Sequence, residues 1–332
     1  MRFVVFGAGA IGGVVGARLH QAGFDVTLIA RGAHGRAIRE RGLTLEQPDG
    51  TSVLTTISAV AQAGELEWGG EETVLLCVKT QDTASALESL RAATWSIRIA
   101  VVCVQNGVEN ERLALRLFEH VYGGVVMLPA AHLEPGVVQA YGTELTGIID
   151  LGRYPSGVDE RCSEVARALS SSRFESSVRE DIMRAKYAKL VMNLGNAPGA
   201  ILSPSPSRDR VIELAREEGC SALRAAGIEF EDDTVTDVEG RWARFGVRDI
   251  EGRERAGSST WQSLARGASG VETDFLNGEI VLVGRLHGVG TPVNEALCML
   301  ADRHVREGRA PGTLAADEVL AISREGALAW TR

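Results

Sequence analysis

The sequence predicts an α/β Rossmann domain, a doubly wound and mainly parallel sheet, followed by an all-helical C-terminal domain. Three observations carry this. Apolar Val/Ile/Leu runs alternate with helical segments through the first half, a G-x-G-x-x-G motif follows the first run directly, and strand signals fade from about Asp181. Runs of this kind suit a parallel sheet buried on both faces. With 332 residues there is chain for two full cores, placed at 1–180 and 181–332.

In order, Arg2–Phe6 is the first strand and Ile11–Gln21 the first helix. Asp25–Ala30, Thr73–Val78 and Ile99–Val104 are further strands, with Asp82–Ala92 and Glu109–Phe118 as helices. Gly136–Tyr141 and Glu144–Leu151 read as later strands of the same sheet. Helical periodicity then predicts helices at 183–196, 209–226, 258–266, 271–287 and 292–307, with a last one near 314–324. The S-P-S-P-S run at Ser203–Ser207 separates the first two of these. E-F-E-D-D at 229–233 reads as a solvated loop or cap. There is no internal repeat.

Composition excludes several classes. The formal net charge is −9 with no polybasic run, which argues against nucleic acid and against an anionic membrane surface. Five cysteines share no C-x-x-C spacing, and the six histidines form no metal-ligand pattern; neither a disulfide framework nor a metal site is expected, and a reducing cytoplasm fits. The N-terminal apolar run is too short for a signal sequence, and no window is long and apolar enough to span a membrane.

The loop F-V-V-F-G-A-G-A-I-G ends a strand and opens a helix. Gly7 permits the tight turn, Gly9 close approach of a pyrophosphate, and Gly12 close packing of helix on strand. Gly7, Ala8, Gly9, Ala10, Ile11 and Gly12 are therefore candidate dinucleotide contacts at a helix N-terminus. The second strand ends L-I-A-R, so Arg31 stands where NAD binders usually carry an acid. A guanidinium suits a 2′-phosphate, which points to NADP(H). Lys79 and Asn106 end the next two strands, on the edge where open α/β sheets bind ligands.

In A-K-Y-A-K-L-V-M-N-L-G-N, Lys189, Asn193 and Asn196 fall at i, i+4 and i+7, on one face of a continuous helix. An ammonium and two amides in an apolar segment need partners.

With these residues assembled, the chain resembles the ketopantoate reductase (2-dehydropantoate 2-reductase) family. The resemblance runs through G-A-G-A-I-G at 7–12, A-R at 30–31, V-K-T at 78–80, Q-N-G at 105–107 and K-L-V-M-N at 189–193. It continues with S-S-T-W-Q at 258–262, E-T-D-F-L-N-G at 272–278 and T-P-V-N at 291–294. It implies a catalytic cleft between the two domains and NADPH-dependent reduction of a 2-oxo acid. Lys189 would then be the general acid, Glu272 its acidic companion and a cofactor neighbour. Asn193, Asn196 and Ser259 would bind substrate, and Asn106 both cofactor and substrate. Ser258 reads as the N-cap of its helix, leaving Ser259 for substrate. Two departures fall on the substrate side: Ala197 stands where the family has a second asparagine, and the segment between Gln262 and Glu272 is one residue longer. The substrate thus stays open between ketopantoate and a related 2-oxo acid, and the assembly stays open, a homodimer included. Other readings are a hydroxyacid or opine-type dehydrogenase and a non-catalytic NADP sensor; the Lys189/Glu272 pair argues against the sensor.

Overall fold

The computed structural model describes residues 1–96, 98–230, 241, 245–253, 257–265, 267 and 270–330. By compactness the chain forms two units, Met1–Lys186 with Thr236–Arg255, and Tyr187–Val235 with Ala256–Arg332.

The strands of the first unit are β1 (Arg2–Phe6), β2 (Asp25–Ile29), β3 (Leu43–Glu46), β4 (Ser52–Thr55), β5 (Ser58–Val60), β6 (Thr73–Leu76), β7 (Ala100–Cys103), β8 (His120–Met127), β9 (Ala130–Ala131), β10 (Val137–Ala140), β11 (Gly147–Arg153) and β12 (Phe174–Glu175). Its helices are α1 (Ala10–Gln21), α2 (Gly32–Arg41), α3 (Thr83–Thr94), α4 (Asn110–Leu115) and α5 (Glu160–Ser171). The main sheet has the order β12-β11-β8-β7-β6-β1-β2-β5, parallel throughout except for β8 with β11.

Period-two alternation sorts the side chains onto two faces. Phe3 and Val5 join Val14, Val15 and Leu19 of α1 and Val165 and Leu169 of α5 in one core. Val4 and Phe6 join Val74, Leu76, Val101, Cys103 and the α3 residues Leu87 and Leu90 in the other. The expected continuous apolar strands are therefore two-sided, as a doubly wound sheet requires.

Two strand assignments need correction. Gly136–Tyr141 does not extend the main sheet. Its core, β10, lies in a separate sheet of order β4-β3-β10-β9, pairing in parallel with β3 and antiparallel to β9. Strand β8 escaped the sequence reading because Gly123 and Gly124 interrupt H-V-Y-G-G-V-V-M. The reason for them is close approach: a Cβ at Gly123 would lie 3.2 Å from Ile182 Cγ2 and 3.4 Å from Lys186 Cδ.

After α6 (Ile182–Asn193) the chain is helical: α7 (Asn196–Ile201), α8 (Pro206–Ala225), α9 (Ser259–Ala265), a 3-10 turn at Glu272–Phe275, α10 (Asn277–His287), α11 (Pro292–Arg306) and α12 (Ala316–Trp330). In the second unit α8 packs against α10, α11 and α12, and α7 against α9 and α11. Ser205 caps α8, its hydroxyl accepting from Arg208 N–H. The acidic run at 229–233 lies largely outside the described residues.

The predicted helix over 183–196 is in fact broken. Pro198 has no N–H to offer Leu194 O, its i−4 carbonyl, and its ring crowds that carbonyl. Helix α6 accordingly stops at Asn193, and α7 restarts at Asn196. Among the described residues, no helix is long and apolar enough to cross a membrane.

Candidate active site

Four consecutive parallel strands, β7-β6-β1-β2, deliver the first-unit candidates to one sheet edge. Gly7 follows β1, Arg31 follows β2, Lys79 follows β6 and Asn106 follows β7. Chain order reverses at β1, and a crevice at such a switch point is where open α/β sheets bind ligands.

The glycine loop has the shape the motif calls for. Gly7 has φ +101°, and a Cβ there would lie 2.8 Å from Val78 N. A Cβ at Gly12 would stand 2.0 Å from Gly7 O and 2.9 Å from Val5 Cγ1, so only glycine lets α1 lie this close to β1. Gly9 differs: a Cβ would meet nothing within 4 Å. It is the N-cap of α1, no side chain caps the first turn, and that turn holds no acid. Its N–H groups and helix dipole favour an anion there.

Helix α2 repeats the arrangement. Arg31 is its N-cap, without a side-chain cap bond and without acid in the first turn. The guanidinium is 72% exposed and 4.0 Å from Asp82. An exposed ion pair contributes about 0–1 kcal/mol, so Asp82 does not commit Arg31 elsewhere.

The loops bearing Lys79 and Asn106 are tied together by a polar network. Thr83 Oγ1 donates to Asn110 Oδ1 at 2.7 Å, and Gln105 Nε2 donates to Thr83 Oγ1 at 3.2 Å. Asn110 Nδ2 donates to Asn106 O at 3.1 Å and to Thr80 Oγ1 at 3.3 Å. Lys186, one turn before Lys189 on α6, donates to Gln105 O at 3.1 Å and lies 2.5 Å from Glu111 Oε1. Both charged side chains are buried, at 2% and 0% exposure. Burial pushes the Glu111 carboxyl up, against the pull of Lys186. Sequence reading missed this pair because nothing in the spacing of 111 and 186 signals a contact.

In the second unit Lys189 is half-buried and Asn193, one turn on along α6, is 6% exposed. Asn193 Nδ2 is buried without a hydrogen-bond acceptor among the described residues. The helix breaks between Asn193 and Asn196, so helical spacing does not carry Asn196 onto their stripe. Glu272 is 8% exposed and opens its 3-10 turn.

The break itself gathers the specific motifs. Asn277 Nδ2 donates to Leu194 O at 3.2 Å and to Asn294 Oδ1 at 2.9 Å. Asn294 Nδ2 donates to Glu218 Oε2 at 2.7 Å and to Ala215 O at 3.0 Å. Glu218 also accepts from Val293 N–H and Asn294 N–H, and so caps α11 from outside. Burial nevertheless raises the Glu218 carboxyl above its ordinary value. Ser258 Oγ donates to Asn196 O at 3.3 Å and accepts from Trp261 N–H at 3.3 Å, the N-cap role expected for it. Ser259 is the first residue of α9. The segment between Gln262 and Glu272 lies partly outside the described residues.

Residues 3–156 match the family model described as ketopantoate reductase PanE/ApbA, and residues 181–304 match its C-terminal model. A 2-dehydropantoate 2-reductase of Halobacterium salinarum is 33% identical over 330 residues, covering 93% of this chain and 100% of that protein. One from Pyrococcus horikoshii is 32% identical over 312 residues, covering 90% and 96%. Among solved structures, a PanE/ApbA family ketopantoate reductase from Ralstonia eutropha JMP134 has TM-score 0.77 and 29% identity, covering 93% of this chain and 99% of that one. A D-mandelate dehydrogenase, at 22% identity and TM-score 0.74, shares the fold. The glycine loop, the lysine helix and the motifs joined at its break thus lie on a chain matched by both family models, and the protein belongs to the ketopantoate reductase family.

Proposed function

We propose that the protein reduces a 2-oxo acid, ketopantoate or a close relative, to the 2-hydroxy acid with NADPH. The observation that carries the reading is Asn193: a buried amide N–H₂ without an acceptor among the described residues, one helical turn from Lys189. Such a group costs free energy unless a ligand supplies an oxygen, and a 2-oxo acid offers carboxylate and carbonyl oxygens. Asn196, Ser259 and Asn106 are the further substrate contacts.

For the cofactor, Gly7–Gly12 would hold the pyrophosphate, Arg31 the 2′-phosphate, and Lys79, Asn106 and Glu272 the nicotinamide half. The donors fit: two helix N-termini without caps or first-turn acids, one carrying a guanidinium. When bound, NADPH supplies the hydride that the carbonyl carbon receives. Lys189 does the remaining work. Its ammonium donates to the carbonyl oxygen, stabilises the developing alkoxide and passes it the proton. Glu272 favours the charged ammonium before transfer.

The test is NADPH oxidation measured against a panel of 2-oxo acids including ketopantoate, pyruvate and aromatic 2-oxo acids. Turnover with ketopantoate or a branched relative supports the reading. Turnover only in the oxidative direction, with 2-hydroxy acids or opines, would move it to a dehydrogenase; NADPH binding with no turnover at all would leave a sensor.

A further inference from the structure

Behind the glycine loop stands a pair of histidines that the reaction does not use. His34, in the first turn of α2, places Nε2 2.7 Å from Ala8 O, and its Nδ1 accepts from Gly136 N–H at 2.9 Å. A carbonyl only accepts and a backbone N–H only donates, so the partners fix the tautomer: the proton is on Nε2 and Nδ1 is bare. His132 lies against it, ring centroids 3.9 Å apart and planes tilted by 45°. His132 Nδ1 donates in turn to Val137 O at 3.0 Å. Two imidazoles thus join α2, the β9–β10 connection and the loop. Burial, with His132 beside it, pushes His34 down to about 4, so the ring keeps this tautomer at neutral pH.

The bond to Ala8 matters because of what the same peptide does on its other side. A trans peptide points its N–H opposite to its C=O. With Ala8 O held by His34, the Gly9 N–H is turned away from α2, and Gly9 borders open space. Flipping that peptide would instead aim a carbonyl dipole at an incoming anion. Backbone N–H groups fixed in advance bind phosphate without an ordering cost at the moment of binding.

We propose that His34 is a positioning residue for the dinucleotide, locking the Ala8–Gly9 peptide so that its N–H faces the pyrophosphate. The proposal rests on the dinucleotide reading above. It acts on the diphosphate alone, which separates it from Arg31 three residues earlier.

The test is calorimetric titration of the full chain with ADP, which carries a 5′-diphosphate, and with 2′-AMP, which does not. His34→Phe should weaken ADP about tenfold, the worth of one hydrogen bond, and leave 2′-AMP within about twofold. His34→Gln keeps an N–H for Ala8 O and should recover most of the ADP affinity. Unchanged ADP binding in His34→Phe, or equal losses for both ligands, overturns the proposal while leaving the dinucleotide reading intact. Unaltered protein that binds neither ligand overturns that reading and the proposal together. In the unaltered protein, nitrogen NMR of the His34 ring should show the Nε2–H tautomer and a shift on adding ADP; a ring that does not respond to ADP also overturns it, whether or not the variants fold.

Discussion

Asn277 donates to the Leu194 carbonyl, 3.2 Å away, and so supplies the hydrogen bond that Pro198 cannot. One proline breaks the lysine helix, and one buried asparagine from the E-T-D-F-L-N-G motif satisfies the carbonyl left bare. Orientation passes along the relay. The Glu218 carboxylate only accepts, so Asn294 must present Nδ2 to it and Oδ1 to Asn277. Replacing Asn277 by Asp sets acceptor against acceptor at both of its contacts. Asn277→Asp should destabilise by about 1–3 kcal/mol, read as a lower urea midpoint. It should also raise KM for the 2-oxo acid more than KM for NADPH. An unchanged midpoint would show that the relay contributes nothing.

Lys189→Ala should lower kcat by about 10²–10⁴-fold, the usual worth of a positioned general acid. NADPH affinity, measured by fluorescence titration, should stay within about twofold if the ammonium acts on the substrate rather than on cofactor binding. Near-normal turnover would remove Lys189 from proton transfer.

Arg31→Asp should raise KM for NADPH by about tenfold or more, since a carboxylate replaces a cation at the N-cap of α2. KM for NADH should change much less. If the ratio of the two catalytic efficiencies does not move, the 2′-phosphate is read elsewhere.

Asp150 gives a pH prediction. Its burial alone would raise its pKa. The hydrogen bonds and charges of Arg241 and Arg179 together outweigh this and hold it below its ordinary value of 3.8. Arg241 grips both carboxylate oxygens at 2.8 Å, and Arg179 adds a bond at 2.9 Å. A depressed carboxyl contributes stability that is present above its unfolded pKa and lost as pH falls through the folded one. Stability should therefore fall with acid below pH 3.8. Asp150→Asn should flatten that limb and, by removing the charge that both guanidiniums share while Glu175 still pairs with Arg241, cost about 1–3 kcal/mol at neutral pH. Denaturant midpoints across pH 3–7 would show the same slope in both proteins if the assignment is wrong.

Much of this was legible in the chain because it is local. Four apolar runs placed the core of the sheet, and three glycines at set spacing placed the phosphate loop, since only glycine tolerates the contacts at Gly7 and Gly12. The N-cap role of Ser258 could be read from its position before a helix. The motifs K-L-V-M-N and E-T-D-F-L-N-G could be quoted, but not joined.

What only the tertiary structure decided are the pairings between residues far apart in sequence. The sheet membership of Gly136–Tyr141 depended on β3, some ninety residues earlier, because an isolated apolar run carries no address for its partner. The continuous helix expected from Lys189 to Asn196 is interrupted because Pro198 removes a donor, and the break persists because Asn277 and Ser258 bond the carbonyls beside it. The Lys186–Glu111 pair and the His34–His132 stack left no periodic trace. Burial decides where a charge or an imidazole needs a partner, and burial is a property of the folded chain. The sequence by itself determined the central strands of the sheet and the glycine loop; the folded chain decided which polar groups complete one another.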